Sequence, residues 1–340
     1  MLDGVAVEGG SLGNVLIYHT PATSITGQAG LIARALTQAG YSVTQLPTTM
    51  YVTAHNLVRE EGFDLIIQYL DPMAYPYFSG GNVVNYWVAD GVPMGDTARY
   101  VRYICDGAGV NLVTSNYARA NMESLGCLID AELPAAIDTD KYRPVSIEPS
   151  LDVGGVIGFN YGMGKPFMDR NGLPQLIGMM HSMWLRGLKF KAWLHTNVDL
   201  LTLFLPKYGG RIVMTMDVAT KNTAITPIPD KFFTFNDPDD DHPLKVSIVE
   251  QGVVDPVNVY TSSRFALYTA LAGSFGLPPF EALAVGRPVI VNDIPPIREW
   301  LPDSPCVERL RTYSYKQYEW GVGYNKLLMT YAYPDYAEFR

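Results

Sequence analysis

The sequence predicts an α/β fold built from two doubly wound domains, each a parallel sheet with helices on both faces. Short apolar strands alternate with amphipathic helices along most of the 340 residues, the pattern of parallel strands joined by helical crossovers. A stretch at 133–150 interrupts this alternation, which starts again at Val153. We therefore predict an N-terminal domain over residues 1–146 that ends in a linker over 133–150, and a second domain over 151–315.

The composition is that of a globular, cytoplasmic chain. Hydrophobic residues make up 48% of the sequence and charged residues 17%, enough for two full cores. The net charge of −9 argues against a nucleic-acid partner. No apolar run of about 20 residues predicts a membrane-spanning helix, and the N-terminus lacks the features of a signal peptide. Peripheral membrane contact is left open, and Cys105, Cys127 and Cys306 are predicted to be buried free thiols.

The first domain opens with a strand, a loop of small residues and a helix. The strand is predicted at Asn14–His19 and the helix at Gly27–Gly40, with Gly27 and Gly30 near the loop. These glycines do not complete the G-x-G-x-x-G fingerprint, so no nicotinamide cofactor is predicted. Further strands are predicted at 41–45, 64–68, 82–88, 111–114 and 127–131, with helices at 97–105 and 115–125.

Polar residues follow two of these strands, at the edge where open α/β sheets bind ligands. Ser115 follows the strand at 111–114 and most simply caps the next helix. Asp90 follows the strand at 82–88. It is a candidate for substrate binding or for a catalytic base, and a helix cap or a turn is an equally weighted alternative.

The second domain restarts with a strand at Val153–Phe159, and basic residues lie near the start of the following helix. These are Lys165 and Arg170. Later strands are predicted at 189–195 and 211–215, and residues 221–241 are predicted to form an excursion. Asp237–Asp241 contains a D-x-D spacing, but the flanking prolines indicate an acidic surface turn, so no metal site is predicted.

The most informative stretch runs from Ala272 to Trp300. A loop at Gly273–Gly276 leads into a helix predicted at 280–285, and a buried strand follows at 288–292. A glycine loop that opens a helix presents backbone N–H groups beside the positive end of the helix dipole, which predicts an anion site. Glu281, one turn inside the helix, is placed to accept hydrogen bonds from sugar hydroxyls, unless it is simply a solvated first-turn acid.

This stretch resembles the donor-site signature of retaining glycosyltransferases of family 4, which have the GT-B fold of two Rossmann-like domains facing each other across a cleft. The signature reads E-G-F-G-L-P-x-x-E followed by A-x-A-x-G-x-P-V-I. The matching positions are Phe275, Gly276, Leu277, Pro278, Glu281, Ala282, Gly286, Pro288, Val289 and Ile290. A second stretch, Ile137–Pro144, is similar to the G-x-D-x-x-x-F-x-P pattern that closes the first domain in that family.

The resemblance implies transfer of a sugar from a nucleotide-sugar donor to a glycan, lipid or protein acceptor, with retention of configuration and with no cofactor or metal. It places Glu281 on the donor ribose, and Arg170 with Lys165 from the neighbouring loop on the diphosphate, unless both basic residues are simply solvated. It has the first domain hold the acceptor, where Asp90 is the candidate that the strand ends indicate. The remaining donor-binding residues it implies are Gly273, Ser274, Phe275, Gly276 and Leu277. In the first domain it implies a loop at Gly27 and Gly30 close to the reacting groups.

Two positions depart from the family pattern. Gly273 stands where the family has the glutamate that contacts the donor sugar, and Asn171 stands where it has a lysine of the diphosphate clamp. These departures keep open the alternative of a catalytically inactive, glycosyltransferase-like binding module. The family also leads us to expect that the tail at 316–340 forms a helix crossing back to the first domain.

Overall fold

The computed structural model describes residues 11–73, 77–156, 170–196, 212–216, 231–235, 245–250, 255–322 and 325–334. These residues divide into two compact units. The first unit holds the described residues up to Ala136 together with Asn325 and Lys326, and the second holds the others from Ile137 onwards. The boundary after Ala136 falls inside the predicted linker.

The first unit contains a six-stranded sheet whose neighbouring strands are all parallel. Its strand order is β2-β1-β3-β4-β6-β7. A short strand, β5, follows β4 in the chain and lies outside this sheet. The bounds are β1 Asn14–His19, β2 Ser42–Pro47, β3 Leu65–Leu70, β4 Gly80–Trp87, β5 Val92–Met94, β6 Ala108–Val113 and β7 Ala131–Glu132.

The described helices of the first unit are α1 Thr23–Gln38, α2 Tyr51–Glu60, α3 Gly95–Gly107 and α4 Asn116–Glu123. The predicted cap of α4 is confirmed, because Ser115 Oγ accepts a hydrogen bond of 3.1 Å from the Ala118 N–H. The prediction of a glycine loop before α1 is wrong. Gly27 and Gly30 lie inside the helix, and a Cβ added to either would meet no atom within 4 Å. Neither glycine is therefore required by backbone geometry or by a close contact.

A ladder of buried amides crosses the middle of the first sheet. Gln68, Asn85 and Asn111 lie side by side on β3, β4 and β6. Asn85 is fully buried, and its Nδ2 donates to the Ile104 carbonyl at 3.2 Å and to Asn111 Oδ1 at 2.9 Å. Because every buried amide needs partners, the ladder fixes the register of these strands against the end of α3.

The second unit contains an eight-stranded sheet with the order β10-β11-β12-β9-β8-β13-β14-β15. The pairs β10/β11 and β11/β12 are antiparallel, and the described pairs from β12 to β15 are parallel. The strand bounds are β8 Leu151–Val156, β9 Ala192–Thr196, β10 Ile212–Met216, β11 Lys231–Phe235, β12 Lys245–Glu250, β13 Ser263–Tyr268, β14 Val289–Asn292 and β15 Val307–Leu310. Strand β11 lies within the stretch predicted as an excursion, so that prediction is wrong for residues 231–235.

The described helices of the second unit are α5 Leu173–Leu185, α6 Pro256–Ser262, α7 Leu277–Ala284 and α8 Pro295–Trp300. Helix α7 ends at the predicted glycine stop, since Gly286 has a φ of 83°. Buried side chains of α6, α7 and α8 pack with those of β13 and β14 in one core cluster. This core supports α7, whose first turn forms part of the candidate site.

The predicted C-terminal helix is wrong. The tail forms two neighbouring strands, β16 Thr312–Val322 and β17 Asn325–Pro334. In β17 the side chains of Leu327, Met329 and Tyr331 are buried, and the residues between them are partly exposed. This period of two, with its tyrosines, favours a strand over a helix.

Cysteine burial was predicted correctly at two of three positions. Cys105 and Cys127 are buried free thiols in the core of the first unit. Cys306 is free but exposed, in the turn before β15. Among the described helices, none has the length and apolar character needed to cross a membrane.

Candidate functional site

The candidate site lies where the strand order of the second sheet reverses. Strands β9 to β12, which follow β8 in the chain, all lie on one side of β8 in the sheet. The next strand in the chain, β13, lies on the other side of β8. Strands β8 and β13 are parallel neighbours, with Val153 opposite Phe265, so their carboxyl ends lie at the same edge. Open α/β sheets bind ligands outside the carboxyl ends of strands at such a reversal.

Two helices begin with the same tripeptide at this edge. Gly172 precedes α5, Gly276 precedes α7, and each glycine is followed by Leu-Pro. Both glycines adopt the left-handed conformation, with φ values of 72° and 93°. In the described structure neither helix has a side-chain cap at its N-terminus or an acidic residue in its first turn. The positive ends of both helix dipoles are therefore unopposed, which suits an anion.

Contacts around Gly172 join these two helix starts. A Cβ on Gly172 would overlap the Thr269 carbonyl oxygen, so this close approach requires glycine. Thr269 Oγ1 donates a hydrogen bond of 2.9 Å to the Gly172 carbonyl. The backbone N–H groups of Leu271 and Ala272 both donate to the Arg170 carbonyl, at 2.7 and 3.2 Å. The structure thus brings Arg170 beside the predicted glycine loop.

The loop at 269–276 is mostly buried. Ser274 is 3% exposed and Phe275 is 7% exposed. The Phe275 ring stacks on the Phe280 ring, with centroids 4.9 Å apart. Phe275 therefore packs within the unit. The groups of this segment that could contact a ligand are mainly backbone N–H and carbonyl groups. Gly273 is buried too, and Leu277 is the first residue of α7.

Glu281 lies inside α7, held in a cluster of tyrosines. Its Oε2 accepts a hydrogen bond of 3.0 Å from the Tyr260 hydroxyl, and the Tyr142 hydroxyl also interacts with the carboxylate. Burial raises the pKa of Glu281, although the two tyrosine hydroxyls and the nearby Lys141 act to lower it. Glu281 is therefore not the solvated first-turn acid that the sequence left open.

The same cluster unites the two stretches that carry the resemblance. Tyr142 belongs to the Ile137–Pro144 stretch, and its backbone N–H donates to the Asp138 carbonyl at 2.7 Å. Its ring lies 6.3 Å from the Tyr260 ring, and both tyrosines are buried. Sequence reasoning missed Tyr260. The only signal in the sequence was a lone tyrosine in an apolar helix, for which the ordinary expectation is core packing.

In the first unit, Asp90 lies in the turn after β4 and is 7% exposed. Met94, not Asp90, is the N-cap of α3, so the helix-cap alternative does not hold. The neighbouring Tyr69, near the end of β3, has its pKa raised mainly by burial, with contributions from Tyr86 and the Asp90 carboxylate. Asp90 is therefore a buried carboxyl group at the carboxyl edge of the first sheet, close enough to Tyr69 to raise the pKa of its hydroxyl.

Some predicted positions lie outside the described residues. These are Lys165 and the acidic stretch Asp237–Asp241. Within the residues that are described, no group of three His, Cys, Asp or Glu side chains is arranged to hold a metal ion.

The sequence matches no protein family model and none of the curated proteins. Its shape resembles several solved structures. Sucrose-phosphate synthase from Thermosynechococcus elongatus matches with a TM-score of 0.60 and 13% identity, over 88% of this chain and 86% of that one. WaaG, a glycosyltransferase involved in lipopolysaccharide biosynthesis, matches with a TM-score of 0.58 and 12% identity, over 87% and 85%.

The catalytic domain of starch synthase IV from Arabidopsis thaliana, bound to ADP and acarbose, matches with a TM-score of 0.56 and 10% identity, over 87% of this chain and 86% of that one. The chain spans only 48% of another match, TarM, with a TM-score of 0.52. All of these structures are GT-B glycosyltransferases. At such low identities the similarity concerns the fold, and this chain has the α/β fold with parallel sheets of the GT-B glycosyltransferases.

Proposed function

We propose that this chain is a retaining glycosyltransferase that moves a sugar from a nucleotide-sugar donor to a glycan, lipid or protein acceptor. One observation carries the proposal. At the strand-order reversal of the second sheet, the glycine-capped start of α5 and Arg170 are hydrogen-bonded to the loop that leads into the glycine-capped start of α7. A nucleoside diphosphate has the charge and the length to engage such a site.

The diphosphate is the part of the donor that gains charge when the sugar departs. Backbone N–H groups at the starts of α5 and α7 and the guanidinium of Arg170 stabilise that charge. The backbone at the start of α5 is held before the ligand arrives, because the Arg170 and Gly172 carbonyls are already bonded to residues 269–272. This arrangement lowers the barrier without a metal ion, and we expect activity to persist in a chelator.

Glu281 is proposed to bind the ribose of the donor. A carboxylate accepts two hydrogen bonds, which matches a pair of neighbouring sugar hydroxyls. Tyr260 fixes the orientation of the carboxylate through a 3.0 Å hydrogen bond. The starch synthase structure, which resembles this chain in fold, is described as bound to ADP, which supports a nucleotide as part of the ligand.

Asp90 is proposed to act on the acceptor side, as a binding group or as a base. What supports this role is its position as a buried carboxyl group near Tyr69 at the carboxyl edge of the first sheet. In the proposed reaction the leaving phosphate helps to take the acceptor proton. Asp90→Asn is then expected to lower kcat and to leave the Kd of the donor unchanged.

A second candidate function is nucleotide or glycan binding without transfer. The observation that favours it is Gly273, which offers no carboxylate to the donor sugar at the position where the family has a glutamate. Donor binding in the absence of any transfer would support this alternative.

The proposal is tested by thermal unfolding with UDP-, GDP- and ADP-sugars and with the free nucleotides. A ligand at about 100 times its Kd adds about 2.7 kcal/mol to the free energy of unfolding. Arg170→Ala and Glu281→Ala should each weaken binding about tenfold or more, since each removes hydrogen bonds that involve a charge. Arg186→Ala, at the exposed far end of α5, is the control and should have no effect. If the wild type binds none of these nucleotides or nucleotide-sugars, the proposal is contradicted.

A further inference from the structure

A second set of hydrogen bonds holds the loop at 269–276, from residues outside the matched positions. Asn292, the last residue of β14, donates through Nδ2 to the Ala270 carbonyl at 2.9 Å and to the Ala332 carbonyl at 2.7 Å. The backbone N–H of Ala332, in β17, donates to the Leu271 carbonyl at 2.8 Å. One side-chain amide therefore ties the loop to the C-terminal strand.

Burial makes this amide difficult to replace. Asn292, Ala270 and Ala332 are all fully buried. An apolar side chain in place of Asn292 would leave two buried carbonyl groups without this donor, which is unfavourable in the interior of a protein. Asn292 Oδ1 has no hydrogen-bond partner among the described residues. Burying this unsatisfied oxygen is unfavourable, so the stabilising contribution of the Asn292 amide comes from the two hydrogen bonds that it donates.

Leu271 connects the two sets of hydrogen bonds. Its N–H donates to the Arg170 carbonyl, and its carbonyl accepts from the Ala332 N–H. One set of bonds therefore ties the loop to Arg170, and the other set ties it to Asn292 and β17. A shift of the Ala270–Leu271 backbone would move the Arg170 turn and the start of α5 with it.

We infer that Asn292 is a positioning residue which, together with β17, fixes the backbone of the 269–276 loop in the conformation that binds the donor diphosphate. This inference rests on the proposed function. Asn292 itself makes no contact with the ligand. It acts through Ala270 and Leu271, and the C-terminal strand becomes part of the donor site.

The test compares Asn292→Ala with a matched control, Asn85→Ala. Asn85 is equally buried, and its Nδ2 also donates to two oxygens, but it lies in the ladder of the first unit. Asn292→Ala loses two hydrogen bonds, and Asn85→Ala loses three because Asn85 Oδ1 also accepts from Gln68 Nε2 at 2.8 Å. Both variants should therefore unfold at lower temperature. Only Asn292→Ala is expected to raise the Kd of the nucleoside diphosphate that the wild type binds, chosen from UDP, GDP and ADP, by about tenfold.

A second readout does not need a ligand. Hydrogen exchange of the Leu271 and Ala272 amides, both bonded to the Arg170 carbonyl, should become about tenfold faster in Asn292→Ala and stay unchanged in Asn85→Ala. If Asn292→Ala does not fold, Asn292→Ser, which keeps one donor, replaces it.

The inference would be overturned by equal Kd values and equal exchange rates in Asn292→Ala and wild type, or by the same changes in the Asn85→Ala control. Should the wild type bind none of the nucleotides, the proposed function fails. The exchange comparison then decides by itself whether Asn292 fixes the loop.

Discussion

Two strand-to-helix junctions in this chain were both predicted to be glycine loops, and only one of them is. In the first unit, β1 leads into α1, and Gly27 and Gly30 lie inside that helix with open space around them. In the second unit, β13 leads into α7, and Gly276 has a φ of 93° with other side chains 3.0 Å from where a Cβ would be.

The difference shows when a glycine in a sequence carries information. Gly276 is followed by prolines that start a helix, so its neighbours specify both the end of the loop and the start of α7. Around Gly27 the residues are Thr, Ser, Ile, Gln and Ala, which a helix tolerates. A glycine therefore predicts a loop when its neighbours exclude a helix at that point. The following variants test this contrast, from the largest expected effect to the smallest.

The largest effect is expected for Gly172→Ala. The added Cβ would overlap the Thr269 carbonyl, and the backbone is left-handed at this position, so we expect a loss of about 3 kcal/mol or more. Thermal unfolding should show a decrease of roughly 6–12 °C. Gly178→Ala, within α5 and with nothing within 4 Å, is the control and should not destabilise. Equal melting temperatures for the two variants would contradict the close packing at Gly172.

A smaller effect is expected for Tyr260→Phe, which removes one hydrogen bond to the Glu281 carboxylate. The expected loss of stability is about 1–2 kcal/mol, measured by urea unfolding, with weaker nucleotide binding. Tyr18→Phe removes a buried hydroxyl that donates to the Thr48 carbonyl in the first unit, and should lower stability without changing nucleotide affinity. If both variants bind nucleotide like the wild type, Tyr260 does not position Glu281.

The pH dependence of stability should report the buried carboxyl group. Because burial raises the pKa of Glu281, the folded state binds this proton more tightly than the unfolded state. Its contribution to stability is complete below the ordinary glutamate pKa of about 4.3 and is lost as pH rises through the raised value. The difference in unfolding free energy between wild type and Glu281→Gln should therefore decrease from about pH 4 to pH 7. A difference that is constant or increases would show that the carboxylate is not destabilised by burial.

The smallest effect is expected for Gly27→Ala. An exposed glycine inside a helix costs about 0.5–1 kcal/mol relative to alanine, and nothing obstructs the new Cβ. We expect the melting temperature to rise by a few degrees, with no change in nucleotide binding. A decrease would mean that this part of α1 needs the freedom of glycine after all.

Much of the fold was predictable because its signals are local. β1 was predicted with its observed bounds, and the cap at Ser115, the stop at Gly286 and the start of α7 near its prolines follow from residues within one or two turns. The tail was mistaken for a helix because the expectation came from a family resemblance and not from its own period of two. Strand β13 was not predicted, since Ser-Arg-Phe-Ala-Leu-Tyr has no distinct alternation.

The candidate site was predictable in its components but not in its assembly. Glu281 and Arg170 could be singled out from the sequence because they occur at positions that match a pattern. The contact of Gly172 with Thr269 and the bonds from Asn292 depend on which strands become neighbours in the sheet. Which strands become neighbours depends on residues throughout the second unit. The local sequence feature that relates the two helix starts is the repeated Gly-Leu-Pro at Gly172 and Gly276.

The first unit is discontinuous in sequence, which has a consequence for how the protein is made. Asn325 and Lys326 belong to it, and the Lys326 N–H donates to Thr97 Oγ1 at the start of α3. On the ribosome these residues emerge only after all the strands of the second sheet. The first unit can therefore form its main sheet early during translation, but it completes its hydrogen bonds only when the second unit has been synthesised.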